Sequence, residues 1–200
     1  MSATDPHART TADRLAKRVM DLAFVATVAV AFWWLLLAIW LAVRLTSPGP
    51  ALFAQTRVGQ GEKVFTCYKF RTMQVGTPQA GTHEVSPAAI TPLGRRLRRW
   101  KIDELPQIWN VARGEMSLVG PRPCLPGQSE LIAWRRRLGV FACRPGITGL
   151  AQVAGVDMSE PEKLARIDAR YCASRSLALD LRLAVQTLPV GRLTGGYRKI

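Results

Sequence analysis

The chain has 200 residues, with 28 Lys and Arg against 14 Asp and Glu, a formal net charge of +14, and 48% of its residues are hydrophobic. High charge beside high apolar content excludes intrinsic disorder, which needs low hydrophobicity, and the length suits one domain. The excess positive charge calls for an anionic partner: nucleic acid, anionic lipid headgroups or a phosphorylated substrate.

Much of the apolar excess sits in one block. Residues 22–43 read LAFVATVAVAFWWLLLAIWLAV, with no charged side chain and Thr27 the only polar one. As a helix this block rises roughly 33 Å, about the hydrocarbon thickness of a bilayer. It is longer than a signal-peptide core, and no small-x-small cleavage pattern follows it. A membrane helix is therefore expected over 18–46, behind a basic segment over 1–17. Arg9, Arg14, Lys17 and Arg18 precede the block, and Arg44, Arg57 and Lys63 follow it, so both flanks carry the charge that marks a cytoplasmic side. A re-entrant path satisfies both flanks. A break inside lipid normally uses Pro, Gly or Ser, however, and the middle of this block is Trp33-Trp34. Spanning and re-entrant paths both stay open on the residues alone.

Pro48 and Pro50 end the helix, and two strands over 51–56 and 63–70 follow, joined at Gly59 and Gly61. Residues 74–90, rich in Gly, Pro, Thr and Ser, read as a mobile loop. Thr91-Pro92 reads as an N-cap with Pro at the first helical position. The helix it opens has Leu93, Leu97 and Trp100 on one face and Arg95 and Arg99 on another. A break is expected near Asp103, with Pro106 in the first turn of a second short helix. Ser159-x-x-Glu162 reads as a capping box before a helix to about residue 173, and a last helix over 177–188 stops at Pro189. The fold class is mainly α with a small β element, carried on one membrane-inserted helix. Cys67, Cys124, Cys143 and Cys172 are scattered without a C-x-x-C pair, and His7 and His83 lie in polar stretches, so a zinc site is disfavoured. Four unpaired thiols suit a reducing cytoplasm.

The densest polar stretch is Arg95-Arg96-Leu97-Arg98-Arg99-Trp100-Lys101-Ile102-Asp103-Glu104. Its plain reading is a solvated basic helix face on which Arg99 pairs with Asp103 at i+4. Its functional reading is a phosphate site, where guanidinium groups bind phosphate oxygens and a carboxylate among them attacks phosphorus. The arginines are expected to keep Asp103 ionised and to remove the repulsion between carboxylate and phosphoanion. Adjacent residues on a helix diverge by about 100°, so Asp103 and Glu104 suit separate roles better than a shared proton. Arg122 lies between Pro121 and Pro123, and Arg144 opens the turn Arg144-Pro145-Gly146-Ile147-Thr148-Gly149. Backbone stiffness of this kind fixes the direction of a guanidinium.

Read in order, several segments resemble the monotopic phosphoglycosyl transferases, also called bacterial sugar transferases. They are Lys17-Arg18-x-x-Asp21, Ser47-Pro48-Gly49-Pro50 with Gln55-x-Arg57-x-Gly59, and Tyr68-Lys69-Phe70-Arg71-Thr72-Met73. Asp103-Glu104-Leu105-Pro106-Gln107 with Asn110 follows, then Met116-Ser117 and Val119-Gly120-Pro121-Arg122-Pro123, and the Arg144 turn with Gln152. The match closes on Asp168-x-x-Tyr171, Ser176 and Asp180 and covers roughly 14–190.

The resemblance implies transfer of a sugar 1-phosphate from a nucleotide diphosphosugar, usually UDP-linked, to a polyprenyl phosphate. The products are polyprenyl-diphospho-sugar and UMP, in the first membrane step of bacterial glycoconjugate or exopolysaccharide assembly. It implies Asp103 as nucleophile of a covalent phosphosugar intermediate and Glu104 as its partner, positioning or deprotonating the lipid phosphate. Mg2+ is implied near Asp103; Lys69, Arg98 and Arg122 around the phosphates; and Arg144 and Gln152 at the donor or headgroup. The domain over 47–200 then works at the cytoplasmic face of the bacterial inner membrane, among its lipids and without nucleic acid. Family members carry a Ser-Pro break where this chain has Trp33-Trp34, and longer members carry an extra N-terminal membrane bundle, so the chain reads as a minimal catalytic form. The competing class is a non-catalytic, membrane-tethered basic protein binding anionic lipid or nucleic acid. It accounts for the charge but needs neither Asp103-Glu104 nor the framed Arg122, and the aromatics are not interleaved with the basic residues as base stacking requires.

Overall fold

The computed structural model describes residues 11–77 and 87–187; Arg9, His7, His83 and Pro189 lie outside them. The longest element is helix α1, Thr11–Thr46, 36 residues that run unbroken through Trp33-Trp34. It takes in residues 11–17, expected to precede the helix. Asp13 stands in its first turn and Arg44 in its last, each matched to the local end of the helix dipole. It is the one described helix long and apolar enough to cross a membrane. Trp33, Trp34, Leu37, Trp40 and Leu41 on it are exposed.

Both ends of α1 dock on the same domain. Near its start, Lys17 Nζ meets Asp180 Oδ2 at 2.7 Å, and Arg18 donates to the carbonyls of Val111 (2.6 Å) and Ala112 (2.7 Å). Asp21, fully buried, accepts from Ser117 Oγ and from Leu118 N, each at 3.0 Å. Near its end, Ile39 and Val43 pack with Ala51, Phe70 and Leu97. The chain leaves the helix through Ser47-Pro48-Gly49-Pro50, and Arg71 gathers this turn by donating to the carbonyls of Ser47, Pro48 and Gly49.

The strand pair appears as expected, each strand starting one residue later and the first running two residues further. Strands β1, Leu52–Val58, and β2, Val64–Phe70, pair antiparallel from Leu52↔Phe70 to Val58↔Val64. After the hairpin come α2, Pro92–Arg99, and the short α3, Ile108–Ala112. Thr91 caps α2 as predicted, its Oγ1 accepting from Gly94 N at 2.9 Å. Of the loop expected over 74–90, residues 78–86 lie outside the described residues.

The second half holds the two expected helices, ending near 174 and 187, and further short elements that no sequence pattern announces. Strands β3, Ser117–Val119, and β4, Gly146–Thr148, form a parallel pair. Gly146 is required there, because a Cβ on it would lie 2.1 Å from Gly120 N. Helices α4 (Ser129–Arg137), α5 (Leu150–Val153), α6 (Pro161–Ser174) and α7 (Leu177–Thr187) complete the domain. One core joins Val58, Cys124, Leu131, Ala151, Leu164 and Ala165, and another joins Leu118, Val119, Tyr171 and Leu183.

Two expectations are corrected. Ser159 does not cap α6: the N-cap is Glu160 without a side-chain bond, and Ser159 Oγ turns back to Asp157 Oδ1 at 2.6 Å. Cys143 and Cys172 are not free thiols; they form a disulfide pair with Cα atoms 6.3 Å apart, while Cys67 and Cys124 are buried and free. The two partners are 29 residues apart and carry no local motif, so only the packing of α6 brings them together. With that pairing, thiol content no longer points to a compartment.

Candidate active site

The carboxylate pair is placed by a sharp backbone change. Helix α2 turns Leu97 into the core beside α1 and aims Arg98 away from it, where Arg98 Nε donates to Thr72 Oγ1 at 2.8 Å. Close contact sets this spacing: a Cβ on Gly94 would sit 2.2 Å from Thr72 O. The helix stops at Arg99, and Lys101 adopts a left-handed conformation, φ 55°, which costs a side-chain-bearing residue about 1 kcal/mol or more. From it a 3-10 turn, Ile102–Gln107, carries Asp103 and Glu104 inward with Pro106 inside the turn. Tighter winding places adjacent side chains about 120° apart. The i+4 pairing of Arg99 with Asp103 is not made, because α2 has ended and Arg99 is exposed.

Asp103 and Glu104 are both buried, each 8% exposed, yet both line a cavity of about 610 Å3. Lys69, Arg98 and Arg122 line it too. Glu104 Oε1 receives Lys69 Nζ at 2.8 Å and Arg122 Nη2 at 2.7 Å. No hydrogen bond or ion pair holds the Asp103 carboxylate among the described residues.

The electrostatics separate the two carboxylates. Burial alone would raise the Glu104 pKa, but Arg122 and Lys69 outweigh it and hold the group well below the usual carboxylate range. Asp103 goes the other way: burial and then Glu104 raise it, and Lys69, Arg98 and Arg122 only partly offset them. The cations thus do not outweigh burial at Asp103: Arg122 and Lys69 act mainly on Glu104, and only Arg98 feels Asp103 more than Glu104. Burial and Arg122 lower Lys69, against Glu104, while Glu104 raises Arg122.

The structure therefore brings together Asp103, Glu104, Lys69, Arg98 and Arg122. It does not bring in Arg144, which is exposed, or Gln152, whose amide donates to Ile147 O at 2.9 Å; neither lines the cavity. Gln152 Nε2 holds the β4–α5 turn, while its Oε1 is buried without a hydrogen bond among the described residues. Arg57 and Lys101 also line the cavity, beyond the residues expected there. The alternation Gln55-x-Arg57 on a strand was the available signal for the first; nothing local announced the left-handed turn behind the second. Asn110 proves structural: fully buried, it accepts from Tyr68 N at 3.2 Å and donates to Thr66 O at 2.6 Å, fastening α3 to β2.

A divalent cation fits this donor set in one way. Mg2+ favours one or two carboxylates plus substrate phosphates over an all-protein cage. Among the described residues no group of three or more His, Cys, Asp or Glu gathers, but the Asp103 carboxylate has uncommitted oxygens facing the cavity, whereas Glu104 Oε1 is taken by two cations.

Comparison with known proteins gives an independent view. A family model described as bacterial sugar transferase matches residues 12–192. The chain is 41% identical over 184 residues to a UDP-glucose:undecaprenyl-phosphate glucose-1-phosphate transferase of Caulobacter vibrioides, covering 88% of this chain and 69% of that protein. It is 37% identical over 190 residues to an undecaprenyl-phosphate glucose phosphotransferase of Komagataeibacter xylinus, covering 88% and 36%. It is 35% identical over 181 residues to a UDP-N-acetylgalactosamine-undecaprenyl-phosphate N-acetylgalactosaminephosphotransferase of Aeromonas hydrophila, covering 86% and 42%. The chain thus spans about two thirds of the first relative and well under half of the other two.

Proposed function

The chain belongs to the bacterial sugar transferase family, and we propose that it moves a sugar 1-phosphate from a UDP-sugar to a polyprenyl phosphate, releasing UMP. The observation that carries this reading is the unequal carboxylate pair: Glu104 tied to Lys69 and Arg122, and Asp103 beside it without a hydrogen bond among the described residues. A raised pKa makes Asp103 the more basic of the two and the better nucleophile. Its oxygen attacks the phosphorus that bears the sugar, the bond to the UMP oxygen breaks, and UMP leaves with that electron pair. A phosphate oxygen of the acceptor then attacks the same phosphorus and displaces the Asp103 carboxylate, which returns unchanged.

Glu104, held far below neutral pH, is a poor base. It orients Lys69 and Arg122, whose remaining donors face the phosphates, and Arg98 adds a third cation steadied by Thr72. Mg2+ held by Asp103 and the diphosphate would neutralise charge as the UMP phosphate departs.

We place the domain on the cytoplasmic face of the inner membrane, with α1 entering and leaving through one leaflet and its Trp-rich middle in lipid. Support comes from the docking of Lys17 and of Val43 on one domain. Because α1 is unbroken, this path bends or tilts the helix and does not break it at Trp33-Trp34. An N-terminal reporter found on the outer face of intact cells would overturn this topology.

The test of the reaction is UMP release from a panel of UDP-sugars, beginning with UDP-glucose and UDP-N-acetylgalactosamine, with polyprenyl phosphate and Mg2+. Mass spectrometry of protein quenched without acceptor is expected to show a phosphosugar adduct on Asp103. No UMP from any donor would sink the reading.

A further inference from the structure

Asp168, one of the motif residues without a role in the chemistry above, lies outside the cavity. It is 2% exposed on α6 and faces Arg135 on α4, also 2% exposed. Arg135 spends its guanidinium on two tasks. Nε (3.0 Å) and Nη2 (2.6 Å) go to Asp168 Oδ2, and Nη1 donates to the backbone carbonyl of Arg122 at 2.8 Å. The next carbonyl, of Pro123, accepts from Arg57 Nη1 at 2.9 Å, and Arg57 is itself aligned by Gln55 Oε1. The one after, of Cys124, accepts from Val58 N at 2.9 Å. Upstream, Gly146 N binds Pro121 O and Gly120 N binds Thr148 O. Four carbonyls in succession, 121–124, are thus tied, each to another segment.

A core needs only that buried polar groups find partners. This arrangement goes further, because it fixes the backbone on both sides of one side chain that reaches out to Glu104. Prolines at 121 and 123 already restrict rotation, and Arg135 supplies the anchor at the residue between them. We propose that Arg135, oriented by Asp168, is a positioning residue that aims Arg122 into the cavity for phosphate binding. The proposal rests on the phosphate-site reading of the cavity, so its test uses a probe that does not depend on turnover.

Binding of pyrophosphate in the presence of Mg2+ is measured by calorimetry on folded, monodisperse protein. Arg135→Lys, too short to serve Asp168 and the Arg122 carbonyl together, is expected to weaken binding at least fivefold. In an Arg122→Ala background the same substitution is expected to change affinity less than twofold, since its effect passes through a side chain no longer present. Asp168→Asn, which keeps the shape and one acceptor, is run in parallel and is expected to follow the same pattern with a smaller factor. Equal factors in both backgrounds, no effect on binding, or loss of the folded state in both variants would assign the pair to the core alone and overturn the proposal. Wild-type protein that binds pyrophosphate but releases no UMP overturns the transferase reading and not the positioning role; wild-type protein that binds no pyrophosphate overturns the positioning role, and the transferase reading then stands or falls on UMP release alone.

Discussion

Two arginine–carboxylate pairs stand at either end of one residue's backbone and side chain, and they differ in what surrounds them. Arg122 meets Glu104 at the cavity wall with side chains 34% and 10% exposed, while Arg135 meets Asp168 with side chains 2% and 3% exposed. The closed pair uses Nε and both terminal nitrogens of its arginine on protein acceptors. The open pair commits one nitrogen and shares its carboxylate oxygen with Lys69. The carboxylates respond in opposite directions. Burial raises Asp168 beyond what its one arginine recovers, whereas two cations bring Glu104 down in spite of burial. The same chemistry yields a bolt where donors are saturated and an open cavity wall where they are left over.

The contrast is sharpest inside the cavity, where adjacent carboxylates are expected to respond with opposite signs. Asp103→Asn should lower UMP release by at least about a thousandfold, as loss of a covalent nucleophile does. It should also raise the thermal midpoint. A carboxyl whose folded pKa is raised destabilises the fold as pH climbs from its unfolded value of 3.8 through the folded one, and the amide removes that penalty. Glu104→Gln should lower turnover by about a hundredfold and lower the midpoint, through a stability loss of about 2 kcal/mol for the lost charged hydrogen bonds. Its pH signature runs the other way: the stability that Glu104 contributes is full above its unfolded value of 4.5 and drains as pH falls below it toward the lowered folded value. Melting curves of the three proteins across acid and neutral pH would check this, and a shared sign for the two variants would break the contrast.

A smaller effect is expected in the closed region next to α1. Asp180 is fully buried and holds both Lys17 Nζ and the Tyr171 hydroxyl. Asp180→Ala leaves a cation without its main partner, but Lys17 also stands 3.9 Å from Asp21, whose Oδ2 has no hydrogen bond. That second carboxylate limits the loss to about 2 kcal/mol, below the 3–5 of a fully stranded buried charge. Chemical denaturation of the wild type and the variant reads this directly.

How far these regions were legible in the sequence follows from the range of the forces that build them. Asp103, Glu104, Lys69, Arg98 and Arg122 were visible as residue types gathered in motifs, and the structure brings all five to one cavity. Thr91 and the hairpin were visible because capping and turn chemistry act within a few residues. The β3–β4 pair was not: strands of three residues are too short to show a period, and their pairing depends on Gly120 and Gly146 meeting across a long separation. The Arg135–Asp168 bridge, the Cys143–Cys172 pair and the separation of Arg144 and Gln152 from the cavity all depend on how α4, α5 and α6 pack, which no local pattern records. The rise of Asp103 was misjudged for the same reason, since counting nearby arginines says nothing about burial.

The capping-box expectation gives the smallest and most local check. A Ser with Glu three residues on stabilises a helix only if the Ser occupies the N-cap and its oxygen reaches the N3 amide. Here Pro161 starts α6, which moves the cap to Glu160 and leaves Ser159 bonding Asp157 on an exposed turn. Ser159→Ala should therefore cost no more than about 0.5 kcal/mol, the scale of a surface change, against about 1 kcal/mol for a true cap. Asp157→Ala should cost a similarly small amount, because it removes the Ser159 Oγ bond and the Ser159 N bond from the acceptor side of an exposed turn. Were Ser159→Ala to cost the full cap value while Asp157→Ala cost nothing, the serine would be capping α6 in solution and the start of that helix would have to move back by one residue.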